Sequence, residues 1–311
     1  MSDRLSSVRN GLGTFNLPEV DVAFHQMQLR YGQAQPPEIQ AQLTSEWQCR
    51  KEHVMKGKVA IVTGGASGIG LAIAEMLARG GVNCVIGDLD ASGGERAATK
   101  LQEAGADCLF VATNVSQPGE VRHLVEATMG RFGRLDILAN NAGLQFVAPV
   151  VDFPEERWDT LIGVMLTGTF LCCKYALPHM IQQKWGRIIN VSSVHGKVAS
   201  PFKVAYISAK HGVLGLTKVV ALEMGENNIT CNAICPAYVR TPLVEKQIAN
   251  QARLNGISEE DVVQKIMLGP AAIRRMLEPC EVASLVVYLC SDDAAGITGA
   301  ALDIDLGWTA R

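Results

Sequence analysis

The sequence has no surplus of charge of either sign and no block of basic residues. Its 28 Lys and Arg residues against 31 Asp and Glu residues give a formal net charge of -3. A chain with that balance has no overall attraction to nucleic acid or to an anionic membrane. The sequence therefore predicts neither a nucleic-acid partner nor a membrane partner.

Long apolar runs and targeting signals are also scarce. We find no run that approaches the ~20 consecutive apolar residues of a membrane-spanning helix, and no apolar core of a secretory signal. Arg4 and Arg9 suit a mitochondrial presequence, but Asp3, Glu19 and Asp21 break the acid-poor pattern of such signals. The sequence favours the cytoplasm and leaves the mitochondrial matrix open as the alternative.

The cysteines follow no regular spacing. Their number is nine, and an odd count without a pattern predicts no disulfide framework and a reducing compartment. The adjacent Cys172 and Cys173 have no second pair at the spacing of metal ligands. We interpret them as helix-packing residues and predict no metal site.

What the sequence does have is a repeated alternation of apolar strands and amphipathic helices. Apolar segments predict strands at 59–62, 84–86, 108–111, 137–139, 188–191 and 229–234. Helical periods predict helices near 69–80, 93–104, 118–132, 155–184 and 204–225. Strands that alternate with helices form crossover units, so the fold class is α/β with a doubly wound parallel sheet and helices on both faces. Such sheets bind ligands at the carboxyl ends of their strands.

One domain is expected, because the chain has neither a second alternating block nor an internal repeat. This domain covers 57–311, and residues 1–56 form a partly helical extension of unknown function. Pro18 and Pro37 each suit the first position of a helix in that extension. Residues 240–277 interrupt the alternation with a predicted pair of helices, which is well placed to cover a ligand site as a small lid.

A glycine-rich turn follows the first predicted strand. Gly64, Gly68 and Gly70 allow a tight turn and let a pyrophosphate approach backbone N–H groups at the start of a helix. Asp88 ends the second strand, where a carboxylate can accept a hydrogen bond from a ribose 2′-OH and repels a 2′-phosphate. This arrangement predicts a dinucleotide site with NAD as the cofactor. The alternative for Asp88 is an ordinary cap of the next helix.

Residues 189–212 carry the predicted chemistry. Tyr206 and Lys210 lie one turn apart on a helix face, and Ser193 ends the apolar run of a strand. A neighbouring ammonium favours the phenolate and so lowers a tyrosine pKa, while a serine hydroxyl can hold a carbonyl or alcohol oxygen. These residues suit proton transfer to or from an alcohol. Taken alone, Tyr and Lys at this spacing are more often part of an ordinary amphipathic helix.

Several motifs together resemble those of the short-chain dehydrogenases/reductases. They are Ser193 and the segments 63–70, 140–143, 206–210 and 236–241. The resemblance covers about 56 to 311. It implies a single Rossmann-type, doubly wound sheet of seven strands, usually assembled as a homotetramer. It extends to the members of this family that interconvert (R)-3-hydroxybutyrate and acetoacetate, through the segments 142–150, 194–206, 209–213, 232–248 and 307–311.

The resemblance assigns roles to individual residues. It makes Ser193 the group that orients the substrate oxygen and Tyr206 the acid/base. Lys210 lowers the tyrosine pKa and binds the nicotinamide ribose. The implied cofactor-binding set is Gly64, Ser67, Gly68, Ile69, Gly70, Asp88, Asn114, Val115, Asn141, Tyr206, Lys210, Val239 and Thr241. Asn114 stands where the family has an Asp that contacts adenine, and its amide oxygen is expected to accept the same hydrogen bond.

The resemblance also implies a site for a small carboxylate substrate. One cation, a polarised imidazole and amide donors form the charge-assisted hydrogen bonds that such an anion needs. The implied substrate-binding residues are Gln145, Ser193, His195, Lys203, Tyr206, Tyr238 and Gln247. Tyr238 replaces a Trp of the hydroxybutyrate-oxidising members and would form an aromatic wall for a methyl group. Taken singly, the two glutamines, the histidine and Lys203 are more often solvated or capping residues.

Met165 departs from the family pattern. It occupies the place of an Asn whose helix holds a water that links the active-site lysine to bulk solvent, and Met neither donates nor accepts comparably. We therefore expect an active but slowed enzyme.

Three functions are open at this point. The first is NAD-dependent, reversible oxidation of (R)-3-hydroxybutyrate to acetoacetate with Tyr206 as acid/base. The second is a reductase of 3-oxoacyl thioesters or an enzyme for another small alcohol, which needs no carboxylate site and often prefers NADP. The third is a cofactor-binding protein with impaired catalysis, and only Met165 and the extension support this alternative.

Overall fold

The fold was analysed on a computed structural model that describes residues 55–310. The helices predicted near Pro18 and Pro37 lie outside the described residues. The sheet consists of β1 (Val59–Thr63), β2 (Asn83–Asp88), β3 (Cys108–Ala112), β4 (Ile137–Asn140), β5 (Gly186–Val191), β6 (Ile229–Pro236) and β7 (Ala301–Ile304). All strands are parallel, in the order β3-β2-β1-β4-β5-β6-β7. The predicted seven-stranded, doubly wound sheet is confirmed.

β1 shows why the apolar runs form central strands. Ala60 and Val62 pack into one hydrophobic cluster, whereas Val59 and Ile61 pack into another. Because successive side chains of a strand point to opposite faces, a run without polar residues is buried on both faces of the sheet. Helices must therefore cover both faces.

Nine α-helices are assigned within residues 55–310. They are α1 (Gly68–Arg79), α2 (Ala91–Glu103), α3 (Pro118–Phe132), α4 (Glu155–Ile162), α5 (Gly168–Gln183), α6 (Val204–Met224), α7 (Pro242–Asn255), α8 (Glu259–Asp261) and α9 (Pro279–Cys290). Side chains of α1, α2 and α9 belong to the cluster that contains Val62, and those of α3, α5 and α6 belong to the cluster that contains Ile61. The two helical layers thus share the apolar sheet as a common core.

The helix predicted over 155–184 is divided by a π-helical turn. This turn, Gly163–Thr167, joins α4 to α5. An 18-residue window within Glu155–Gln183 has a mean hydropathy of 1.5, so this stretch is long and apolar enough to cross a membrane. The expectation that the chain contains no such run is therefore wrong by length and composition. Leu161, Met165 and Met180 are at most 2% exposed, so core packing accounts for the apolar character.

β7 is the strand that no apolar run predicted. It contains Asp303, which is 37% exposed and bonds Lys197 Nζ at 2.7 Å. Lys197 Nζ also donates to Ala301 O at 2.9 Å. As an edge strand, β7 pairs only with β6 and needs less apolar sequence than the central strands. Its existence followed from the family resemblance alone.

Residues 240–277 contain helices, as the sequence indicated. They include α7, α8 and a second π-helical turn, Val262–Met267. Val244, Val262 and Met267 form a small apolar cluster with Tyr238. This segment therefore has a core of its own, and its covering role stays a prediction.

Candidate active site

The candidate site lies where the strand order changes direction, between β1 and β4. A cavity of about 320 Å³ is lined by residues that follow the carboxyl ends of these strands. Ligands of open parallel sheets bind at this position. Every residue predicted to bind the cofactor lines the cavity except Gly70. Ser193 lines it as well.

Gly70 has a packing role in place of a lining role. A Cβ on Gly70 would lie 2.1 Å from Gly64 O and 2.5 Å from Asn141 Nδ2. Asn141 Nδ2 donates hydrogen bonds to Thr63 O and Gly64 O, both at 3.0 Å. Gly64 itself has a φ of 65°, in the left-handed region that glycine adopts most easily. The two glycines thus let Asn141 hold the turn closed.

The turn presents the start of α1 to the cavity. Ser67 is the N-cap residue, and its side chain makes no capping hydrogen bond. The first backbone N–H groups of a helix have no intrahelical acceptor, so here they are available to an anion. Gly68 and Ile69 line the cavity at this point. The turn therefore fits a pyrophosphate group of a dinucleotide. In residues 55–310, no group of three or more His, Cys, Asp or Glu residues is placed to hold a metal ion.

Asp88 lines the same cavity and fixes the turn. Its Oδ2 accepts from Ala66 N at 2.9 Å, and its Oδ1 accepts from Asp90 N at 3.0 Å. The cap of α2 is Asp90, whose Oδ1 accepts from Gly93 N at 3.0 Å. The alternative interpretation of Asp88 as the helix cap is therefore wrong. The carboxylate remains placed for a ribose hydroxyl.

Asn114 lines the cavity, but its amide oxygen is already engaged. Asn114 Oδ1 accepts from Ser116 N at 3.1 Å and from Ser116 Oγ at 2.8 Å. An amide oxygen has two lone pairs, and these two bonds occupy both. The oxygen is therefore engaged before a ligand binds, and its contact with adenine stays a prediction. The Nδ2 donor remains for such a contact.

Val239 and Thr241 connect the cavity to the segment 240–277. Thr241 Oγ1 accepts from Val244 N at 3.4 Å as the N-cap of α7, and donates to Val239 O at 3.3 Å. Val239 also forms a parallel bridge with Leu277. Both ends of the inserted segment are thereby anchored at the cavity.

The three predicted catalytic residues meet at one wall of the cavity. The Ser193 hydroxyl is near enough to Tyr206 to lower the pKa of the phenol, and Ser193 Oγ accepts from His195 N at 3.1 Å. Lys210 Nζ donates to Val191 O at 2.6 Å. Ser192 Oγ donates to Lys210 O at 3.0 Å, which ties α6 to the end of β5. Strand and helix thus present a hydroxyl, a phenol and an ammonium to the same space.

Burial is the largest cause of the pKa shifts of Tyr206 and Lys210. Burial raises the pKa of Tyr206, and the hydrogen bond to Ser193 opposes that rise. Burial also lowers the pKa of Lys210 to about 8. The Lys210 ammonium lies 5.6 Å from the Tyr206 ring centroid, and in the free enzyme it does not outweigh burial. The expectation of a lowered tyrosine pKa is therefore wrong for this state, because the phenolate loses its hydration.

A second group of residues adjoins Tyr206 and contains the predicted carboxylate ligands His195 and Lys203. Lys203 is 3% exposed, and its Nζ donates to Tyr238 Oη at 2.9 Å. The His195 ring centroid lies 6.3 Å from that of Tyr206 and 6.2 Å from that of Tyr238. The His195 Nε2 and Ser200 Oγ are 2.9 Å apart. These contacts place a buried cation and an imidazole next to Tyr206, the predicted acid/base residue.

The imidazole and the cation differ in protonation. Burial, with a contribution from the Lys203 charge, lowers the pKa of His195 to about 3. His195 is therefore neutral near pH 7. Burial lowers the pKa of Lys203 to about 8, so Lys203 remains mostly protonated there. The group carries one positive charge at neutral pH.

The two predicted glutamine ligands are not joined to this group. Gln145 Oε1 accepts from Phe146 N at 3.0 Å, and Gln247 Oε1 accepts from Gln251 Nε2 at 3.1 Å. Neither side chain forms a hydrogen bond with Lys203 in the part of the chain that the structure describes. Their role as substrate ligands stays a prediction.

Sequence reasoning missed two neighbours of His195. The Trp308 ring centroid lies 5.6 Å from the His195 ring centroid, and Trp308 Nε1 donates to Met267 O at 3.1 Å. Ser200 is the second missed residue, since it hydrogen-bonds the imidazole. Trp308 belongs to a segment that resembles the family, but no local pattern shows which side chain it meets.

Met165 lies within the π-helical turn Gly163–Thr167 and is 1% exposed. It packs in a cluster with Leu161, Ala205 and Tyr206. Its carbonyl oxygen accepts from Thr169 Oγ1 at 2.7 Å. The helix is therefore irregular at this position, and the apolar side chain of Met165 packs beside Tyr206.

Met165→Asn should raise kcat by about 3- to 10-fold, because an amide restores a polar link between the active-site lysine and solvent. The measurement is steady-state kcat together with NAD affinity, with Met165→Leu as an apolar control. A Met165→Asn variant that binds NAD normally but gains no turnover would show that proton supply does not limit this enzyme.

The chain is similar in sequence to proteins of a known family. The family described as short chain dehydrogenase matches residues 58–252. A D-beta-hydroxybutyrate dehydrogenase of Rhizobium meliloti (strain 1021) is 48% identical over 257 residues, which are 82% of this chain and 99% of that protein. The protein of that name from Cupriavidus necator is 43% identical over 263 residues, 83% of this chain and 100% of that protein.

A relative with a different printed activity is also similar. The 3-oxoacyl-(acyl-carrier-protein) reductase FabG of Thermotoga maritima is 35% identical over 253 residues, 81% of this chain and 98% of that protein. The chain belongs to the short-chain dehydrogenase family, and it is an oxidoreductase that uses a nicotinamide cofactor.

Proposed function

We propose that this enzyme catalyses the NAD-dependent, reversible oxidation of (R)-3-hydroxybutyrate to acetoacetate. The observation that carries the proposal is the buried ammonium of Lys203 beside a neutral His195. No acidic residue in the described part of the chain offsets the effect of burial on the Lys203 pKa. A buried cation without a counter-charge is costly, and a substrate carboxylate supplies that charge.

The position of Lys203 favours a carboxylate close to the reacting alcohol. Lys203 is the N-cap residue of α6, and Tyr206 lies one turn further along the same helix. A carboxylate at Lys203 and a hydroxyl at Tyr206 therefore belong to one short molecule. A 3-hydroxy acid has this arrangement of functional groups.

The side chains then act in a defined order during oxidation. Ser193 donates a hydrogen bond that holds the substrate oxygen, and Tyr206, as phenolate, takes the hydroxyl proton. A nicotinamide held by residues of the cavity wall would supply the acceptor for the hydride of C3. Lys210 supplies positive charge near the phenolate, and Val191 O holds its Nζ in place at 2.6 Å. In the reverse direction Tyr206 returns the proton.

The preference for NAD over NADP rests on Asp88, whose carboxylate lines the cavity. We expect Asp88→Asn to lower the NAD-over-NADP ratio of kcat/KM by about 10-fold or more, because it removes a negative charge near the 2′ position. Kinetics with both cofactors measure this ratio. Asp107→Asn, on an exposed aspartate paired with Arg131, is the control. An unchanged ratio would assign cofactor choice to other residues.

The proposal includes a homotetramer in the cytoplasm. In support of assembly, Phe170 on α5 and Val219 and Leu222 on α6 are 45%, 52% and 86% exposed. Exposed apolar side chains on neighbouring helices suit a contact with another copy of the chain. Light scattering in solution measures the subunit number, and a monomer would contradict this part.

The decisive experiment compares three substrates by NAD reduction. The (R)-3-hydroxybutyrate enantiomer should be oxidised, the S enantiomer should react at least about 100-fold more slowly, and the neutral thioester should bind poorly. Absence of turnover with (R)-3-hydroxybutyrate, in an enzyme that binds NAD, would exclude the proposed substrate. Preference for the thioester would assign the enzyme to acyl-chain reduction.

A further inference from the structure

Tyr238 carries a buried hydroxyl group that accepts a hydrogen bond but donates none to the residues that the structure describes. The residue is 7% exposed, and its Oη accepts a hydrogen bond from Lys203 Nζ at 2.9 Å. In residues 55–310 the Tyr238 O–H makes no hydrogen bond as a donor. Buried phenols generally find a partner for the hydroxyl hydrogen. The missing acceptor indicates a ligand.

The ammonium group of Lys203 also has hydrogen-bond donors without acceptors among the described residues. An ammonium group has three N–H donors, and the hydrogen bond to Tyr238 is the only one that Lys203 Nζ makes in the described part of the chain. The side chain is 3% exposed, so bulk water does not satisfy the other donors. Two neighbouring buried groups therefore both offer hydrogens and lack acceptors.

The surroundings of this pair limit what the acceptor can be. His195 packs beside Tyr238 as a neutral ring, with the two ring centroids 6.2 Å apart, and Trp308 packs on His195. Burial raises the pKa of Tyr238, so the phenol keeps its proton and remains a donor across the working pH range. A single cation with an adjacent neutral donor fits a monoanion with two acceptor oxygens.

We propose that Tyr238 is a ligand of the substrate carboxylate, which it binds with its own O–H while its oxygen holds Lys203 in position. This inference rests on the proposed function, because it concerns the same carboxylate. It gives Tyr238 a role that neither Trp nor Phe can perform. An indole N–H donates but cannot accept from an ammonium, and a phenyl ring does neither.

A purely apolar role for Tyr238 makes a different prediction. If its ring were only a wall against a methyl group, removal of the hydroxyl would leave substrate binding unchanged. If the hydroxyl binds the carboxylate, its removal weakens binding of the carboxylate alone. The isosteric variant Tyr238→Phe separates these two cases.

Tyr238→Phe should raise KM for (R)-3-hydroxybutyrate about 10-fold or more, the scale of a lost hydrogen bond to a charged group. We expect kcat to stay within about 3-fold, because the reacting atoms lie at Tyr206 and Ser193. The neutral methyl ester should show no change in KM. Tyr288→Phe, on a tyrosine that is 45% exposed on α9, is the matched control.

The pH profile provides a readout that a structural role would not move. The carboxylate binds to protonated Lys203, so kcat/KM should fall as the pH rises through the pKa of Lys203, which is about 8. Loss of the Tyr238 acceptor removes a bond that favours the charged lysine. The alkaline limb of the profile should therefore move to lower pH in Tyr238→Phe.

Binding of butyrate to the enzyme with NADH, measured by calorimetry, separates this inference from the proposed function. Butyrate has the carboxylate without the hydroxyl, so the result does not depend on turnover. Weaker butyrate binding by Tyr238→Phe supports the inference even if 3-hydroxybutyrate proves not to be a substrate. Equal binding by both proteins overturns it, even if 3-hydroxybutyrate is oxidised.

A second variant covers the case in which Tyr238→Phe does not fold. Incorporation of 3-fluorotyrosine at position 238 keeps the side-chain shape and makes the phenol a stronger donor. Butyrate should then bind more tightly to the enzyme with NADH. Unchanged or weaker binding would contradict donation from the Tyr238 hydroxyl.

Discussion

Tyr206→Phe should reduce kcat on the order of 10³-fold while leaving NAD affinity within about 2-fold. The substitution removes only the phenolic oxygen, which is the group that exchanges a proton with the substrate. Ser193 remains to hold the substrate oxygen, and Lys210 remains bonded to Val191 O. The measurements are kcat with the hydroxy acid and NAD binding by fluorescence.

The matched control for this variant is Tyr175→Phe, since the Tyr175 hydroxyl contacts Arg122 on α3, away from the cavity. This control should keep full activity. A Tyr206→Phe enzyme with more than about a tenth of the original kcat would show that another group transfers the proton. The inference about Tyr238 would be unaffected, because it concerns binding of the carboxylate.

Lys203→Met should raise KM for 3-hydroxybutyrate on the order of 100-fold, because a buried charge pair with the carboxylate is lost. The change in kcat should be small, since Lys203 does not contact the reacting carbon. The neutral methyl ester should show little change in KM. Lys184→Met, on a lysine at the end of α5, is the control. A KM for the acid that stays within about 3-fold would exclude Lys203 as its main ligand.

The same variant should be more stable than the natural enzyme without substrate. Lys203 is a buried cation with no acidic partner among the described residues, and Met has a similar length without a charge. The folded-state pKa of Lys203, about 8, lies below the ordinary lysine value of 10.5. Between these values the unfolded chain binds more protons, so stability contributed by this group rises with pH.

Thermal unfolding at a series of pH values tests this linkage. The stability advantage of Lys203→Met should be largest below pH about 8 and should shrink as the pH approaches 10.5. An advantage that does not vary with pH would mean that Lys203 has the same pKa in the folded and the unfolded chain, so that burial does not disfavour its charge. That result would also remove the main support for a carboxylate substrate.

Much of the cofactor site could be predicted from local sequence. Gly64, Gly68 and Asp88 line one cavity, because a strand, a tight turn and a helix follow one another and bring the three residues to one edge of the sheet. Tyr206 and Lys210 share a helix face for the same reason of local periodicity. These features depend on separations of a few residues or on the ends of neighbouring parallel strands.

Other features depend on the packing of distant segments. The two hydrogen bonds of Asn114 with Ser116 could not be predicted, because they depend on how the loop after β3 folds. The effect of Lys210 on Tyr206 was overestimated, since proximity on a helix says nothing about desolvation. β7 has too few apolar residues to be predicted as a strand from its own sequence, and its pairing with β6 shows that it is one.

The sequence by itself determined the family, the order of strands and helices, and the identity of Ser193, Tyr206 and Lys210. The order follows from hydrophobic periodicity, whereas the family and the three residues follow from motifs that resemble those of the family. Only the tertiary structure decided that Lys203 meets Tyr238 at 2.9 Å and that His195 packs against Trp308. Such contacts join strand ends, helices and the carboxyl-terminal segment, and burial then sets their proton affinities. The features of the cofactor site thus depend on short stretches of sequence, whereas the proposed recognition of the substrate depends on contacts between distant segments of the folded chain.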